Sequence, residues 1–138
     1  MNEFTLADIK IGMVEEFSHT ITQENQNAFT ELSGDINPLH RDSDYALKKG
    51  FSGQVVYGML VASLYSTLAG VYLPGKYCLL QSVDTAFVKP VYIGDCLKVV
   101  GTVQEIDTTF KRIIIKASIY NQAGQKVSRA VITAGIIS

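Results

Sequence analysis

Between Phe51 and Gly75 the chain carries no charged residue, and the segments that follow are rich in strand-forming side chains. An uncharged run of that length either crosses a bilayer or lies at the centre of a folded domain. Gly53, Gln54, Gly58, Ser63, Ser66, Thr67, Gly70, Pro74 and Gly75 interrupt it. Its helical part, about Tyr57 to Val71, shortens to about 14 residues, the length of a buried core helix and too short for a membrane span. The run therefore reads as the central helix of a soluble domain, stopped by Leu73-Pro74-Gly75.

After the helix come four expected strands, about Tyr77 to Phe87, Asp95 to Ile106, Phe110 to Tyr120 and Lys126 to Ile137. Ile113-Ile114-Ile115 and Val131-Ile132 are β-branched runs suited to a pleated sheet. Asn121-Gln122-Ala123-Gly124-Gln125 suits a hairpin between the last two strands. Before the helix, Met13 to Thr22 has the mixed pattern of a first strand, and Thr22 is placed to cap a helix that Gly34 ends. Ala28, Phe29 and Leu32 would form its apolar side. Asp35 to Arg41 reads as a loop turned by Asn37-Pro38, and Asp42 or Ser43 as the cap of a short helix through Lys48. A helical first half followed by a strand-rich second half predicts an α+β fold, and 138 residues form a single domain over residues 1–138. The central helix is apolar over more than one face, so a second copy is expected to cover the remainder, giving a homodimer.

Apolar residues make up 47% of the chain and charged ones 18%, enough to fill a core and too apolar for a disordered segment. Twelve basic residues against thirteen acidic ones leave a net charge of -1, which excludes the broad positive field a nucleic-acid backbone requires. Cys78 and Cys96 lack metal-ligand spacing and read as buried thiols in a reduced cytoplasm; no metal or other cofactor is expected. The first residues do not resemble a secretion signal, consistent with a cytoplasmic location.

The chemically informative segment is Asp35-Ile36-Asn37-Pro38-Leu39-His40, where an acid and an imidazole flank a stiff turn. Two such groups side by side can take a proton from water and return one to carbon. The same residues also have a structural reading, in which Asp35 caps a turn, Pro38 shapes it and His40 bonds to the backbone.

This segment resembles the Asp-x-Asn-Pro-(apolar)-His signature of the MaoC-like (R)-specific enoyl-CoA hydratases. The resemblance continues through Tyr57-Gly58-Met59-Leu60-Val61-Ala62-Ser63-Leu64 and Phe87-Val88-Lys89-Pro90-Val91-Tyr92-Ile93-Gly94-Asp95, and covers nearly the whole chain. It implies a hot-dog fold, a long central helix wrapped by an antiparallel β-sheet, working as a dimer on an acyl-CoA thioester. It further implies that Asp35 and His40 hold one water for addition to C3 of a 2-enoyl-CoA, giving (R)-3-hydroxyacyl-CoA reversibly. The Gly58 backbone N–H, at a helix start where amides lack partners, is the candidate donor to the thioester oxygen. By resemblance, Ser66 assists by hydrogen bonding near the catalytic acid. Asn37 shapes the loop. Tyr57 stands where the family commonly has histidine, either keeping a hydrogen bond through its hydroxyl or reshaping the acyl pocket. Lys48, Lys49, Lys89 and Lys111 are cations able to meet carrier phosphates, but scattered lysines are more often simply solvated, and no specific CoA contact follows from them. A thioesterase and a noncatalytic acyl-thioester binding module remain the alternatives on the same fold.

Overall fold

The computed structural model describes residues 1–138. Strand β1 (Val14–Thr20) alternates exposed and half-buried positions and leads into helix α1 (Gln23–Ser33). Thr22 caps α1 by accepting the Asn25 N–H at 3.1 Å, while Asn25 Oδ1 accepts the Thr22 N–H. Gly34 ends it in the left-handed region at φ 73°. The inner face of α1 is not the expected one: Leu32 is 85% exposed and Gln26 is fully buried. Six residues of helix rotate the chain by about 240° net, so burying Gln26 turns Leu32 to solvent.

The expected loop after α1 contains a helical turn, α2 (Pro38–Arg41). Asn37 Oδ1 accepts the Leu39 N–H at 2.9 Å, and Pro38 occupies the first helical position, where a missing N–H has no consequence. Helix α3 (Ser43–Lys48) follows at once, capped by Asp42.

The central helix α4 (Gly58–Thr67) widens into a π-turn over Leu68–Tyr72, closed by a 2.8 Å bond from the Leu73 N–H to the Leu68 carbonyl. Val61, Leu64, Tyr65, Leu68 and Ala69 form its buried stripe, at the spacing of a single helix face. The stripe lies on a five-stranded antiparallel sheet of order β1-β3-β4-β5-β2, in which β2 is Cys78–Phe87, β3 Cys96–Asp107, β4 Arg112–Tyr120 and β5 Lys126–Ile136. Leu97, Val99 and Val103 of β3 and Ile113, Ile115 and Ile119 of β4 meet the helix in one core. Gly101 leaves no room for a side chain between helix and sheet, since an added Cβ would stand 2.7 Å from Leu68 Cδ2. A long helix laid across an antiparallel sheet is the expected hot-dog arrangement. No helix is long and apolar enough to cross a membrane.

Two features of the thiols and the outer helix face differ from expectation or extend it. Cys96 is exposed, because Leu97 takes the inward position of β3 and its neighbour must point out; Cys78 is half-buried, and burial pushes its thiol pKa up. The helix face opposite the stripe, with Met59 64% exposed, borders the edge strand β2, whose Leu79 and Leu80 also face solvent.

Candidate active site

Side chains build the Asp35–His40 turn from within. Asp35 Oδ1 accepts the Asn37 N–H at 3.1 Å, Asn37 Oδ1 accepts the Leu39 N–H, and the His40 N–H reaches the Asn37 carbonyl at 3.0 Å. Each acceptor replaces a backbone partner that the turn removes. His40 thereby sits half-buried with Nδ1 2.7 Å from the Val55 carbonyl oxygen. A carbonyl only accepts, so Nδ1 carries the proton and the neutral ring keeps its free lone pair on Nε2.

Tyr57 closes the turn from behind. It is 2% exposed, its ring centroid lies 4.1 Å from that of His40, and Phe29 flanks it at 4.8 Å. Its O–H donates to the Asp35 carbonyl and stands 2.8 Å from Thr30 Oγ1. The Tyr57 hydroxyl is thus spent on the Asp35 backbone and Thr30, and its ring is not on the wall of the cleft. Asn37 serves as the cap of α2.

In front of His40 opens a cleft of about 310 Å³ whose walls include His40, Val56, Gly58, Val61, Phe87 and Val91. Gly58 begins α4, so its N–H has no acceptor within the helix, and no side chain caps this end. A Cβ there would lie 3.2 Å from the Phe87 ring, so glycine keeps this part of the cleft open. The uncapped amides and the helix dipole favour negative charge here. The cleft can thus offer an apolar wall, one basic ring nitrogen and a backbone donor. Lys89 also lies on it, whereas Lys48, Lys49 and Lys111 do not.

Two expected residues lie elsewhere in the single chain. The Asp35 carboxylate is exposed and outside the walls of the His40 cleft, although its backbone is tied to the same Tyr57. Ser66 is exposed in a separate, mostly apolar hollow of about 420 Å³ with Phe29, Met59, Leu80 and Val83, and makes no hydrogen bond to Asp35 or His40. The reason is distance along the helix, since eight residues carry Ser66 about 12 Å beyond Gly58. Conversely, the sequence reading missed Gln26 and Thr30, polar residues whose only signal was their spacing on one side of α1.

Residues 7–124 match the model of the MaoC like domain. The chain belongs to the MaoC-like family. It is 38% identical over 112 residues to the mitochondrial 3-hydroxyacyl-(acyl-carrier-protein) dehydratase of Arabidopsis thaliana, a match covering 80% of this chain and 65% of that protein. It is likewise 38% identical over 87 residues to the (R)-specific enoyl-CoA hydratase of Aeromonas caviae, covering 63% of this chain and 65% of that protein. The chain therefore spans 65% of the length of each of these two curated relatives. Among solved structures, the unliganded R-hydratase PhaJ1 of Pseudomonas aeruginosa superposes with a TM-score of 0.91 at 29% identity, covering 97% of this chain and 86% of that one. Within this MaoC-like frame, Tyr57 acts as a brace between the Asp35 backbone and the His40 ring.

Proposed function

We propose that this protein adds water reversibly to the double bond of a 2-enoyl-CoA thioester, giving an (R)-3-hydroxyacyl-CoA. The observation that carries the reading is that His40, with Nε2 unclaimed, and Gly58, with its helix-start N–H, share one apolar-walled cleft. An enoyl thioester needs both features. As hydroxide character attacks C3, electron density moves onto the thioester oxygen, and a preorganised N–H there lowers the barrier by about 3 kcal/mol in comparable sites. In this reading Asp35 and His40 act on one water, which requires the Asp35 carboxylate, outside the cleft walls in the single chain, to turn toward His40; the pair takes the proton of the water and returns one to C2, so that the net change is addition of H and OH across the double bond. The names of the two curated relatives, a dehydratase and a hydratase, fit the two directions of this reaction. Lys89 at the cleft is a cation suited to a carrier phosphate.

The working unit is a homodimer. Edge strand β2 presents unpaired backbone together with exposed Leu79 and Leu80, and the uncovered face of α4 adjoins it. A two-fold partner would cover both, and would enclose the hollow that contains Ser66.

Incubation with crotonyl-CoA tests the reading: the enoyl absorbance should fall without release of free thiol, and chiral analysis should find the (R) product. Asp35→Asn and His40→Ala should each lower kcat by about 100-fold or more while the far-ultraviolet spectrum is unchanged. Thiol release in place of hydration would assign the chain to thioester hydrolysis, and binding with neither reaction would make it an acyl-thioester binding module.

A further inference from the structure

Gln26 is fully buried, and every polar atom of its carboxamide is engaged at the back of the cleft. Its Nε2 donates to the His40 carbonyl at 3.0 Å and to the Val55 carbonyl at 3.1 Å, and its Oε1 accepts the Tyr57 N–H at 3.4 Å. The amide cannot be reversed, since that would set oxygen against two carbonyl oxygens. These three backbone groups belong to the segments that form the site. Val55 O is the acceptor of His40 Nδ1, and Tyr57 immediately precedes Gly58.

We infer that Gln26 is a positioning residue, whose carboxamide fixes the Val55 carbonyl that orients His40 and the Tyr57 amide that orients Gly58. The Val55 oxygen takes one donor from Gln26 and one from His40, which uses both of its lone pairs and leaves the carbonyl no free rotation. Neighbouring bonds pin the same segment, with the Val55 N–H on the Leu39 carbonyl at 3.1 Å and the Val56 N–H on the Val91 carbonyl at 2.7 Å. Gln26 is the side chain that joins the histidine side of this segment to the helix-start side. A catalytic ring and an oxyanion donor must be held to within fractions of an ångström, and such supporting bonds do that work. As far as turnover is concerned, the inference rests on the hydratase reading.

Gln26→Met keeps the length of the side chain and removes all three bonds. The folded variant should lose about tenfold or more in kcat with KM within about threefold of the parent. In nitrogen-15 NMR, the neutral His40 ring of the parent should be the Nδ1–H form, with that proton slow to exchange. Its exchange should accelerate in the variant by about tenfold more than that of the Ile115 amide in β4, a difference that simple loss of global stability does not produce. If Gln26→Met does not fold, Gln26→Asn takes the same measurements. A parent His40 that is neutral in the Nε2–H form would overturn the inference, as would a folded variant in which either kcat or the relative exchange of the Nδ1 proton is unchanged. If the parent shows no hydratase activity at all, the functional reading fails, and the NMR comparison alone decides whether Gln26 holds His40.

Discussion

Tyr65 O–H donates to Ser128 Oγ at 2.8 Å in the middle of the core, and Thr85 Oγ1 stands 3.2 Å from the same serine. Burial disfavours the phenolate and raises the Tyr65 pKa above its ordinary value of 10.0, partly opposed by the Ser128 and Thr85 hydroxyls. Because the folded pKa is the higher one, the stabilisation is complete below pH 10 and is lost as pH rises through the folded pKa. Tyr65→Phe should therefore cost about 1 kcal/mol in urea unfolding at pH 7, with Thr85 still satisfying Ser128, and should show less alkaline loss of stability than the parent. Equal alkaline slopes would remove Tyr65 from that role. At this scale the caps Thr22, Asp42 and Gly34 were legible from sequence, because each acts on amides or carbonyls within a turn of itself. Gln26 and Ser66 were not. Whether a polar side chain is buried or exposed depends on what another segment offers it, and the three partners of Gln26 lie 14 to 31 residues away.

Elements are legible in the sequence where a side-chain period repeats. Ile113, Ile115, Ala117 and Ile119 all point inward along β4, and the period of two made that strand visible. The buried stripe of α4 similarly follows the helical period. The π-turn at Leu68–Tyr72 left no such trace, and the single turn of α2 is too short to show a period. Packing between elements is decided at Gly101, which the sequence presents as an unremarked strand glycine. Gly101→Ala would push a methyl group to 2.7 Å from Leu68 Cδ2 and 3.0 Å from Ile115 Cγ2. We expect a loss of about 1–3 kcal/mol, read as a lower urea midpoint at unchanged slope. A midpoint equal to that of the parent would mean that the helix can lift from the sheet at no cost.

For the whole molecule, the apolar surface left by one chain is concentrated where β2 ends the sheet and α4 turns its outer face outward. Leu80→Lys places a charge on that edge, at a side chain 40% exposed, so the fold should survive while association does not. Sedimentation at micromolar concentration should find a dimer for the parent and a single chain for the variant; a parent that is already monomeric, or a variant that remains dimeric, would refute the proposed interface. The family match over residues 7–124 and the helix-then-sheet order were both present in the linear chain, because hydrophobic period and the Asp-Asn-Pro-His signature are local properties. Tertiary structure alone decided that Tyr57 lies behind His40, that Gln26 is sealed beneath both, and that Ser66 faces a different hollow. Those facts depend on which face of α1 and α4 meets the rest of the fold, and that is settled only when distant backbone groups compete for the same hydrogen-bond donors and the same buried volume.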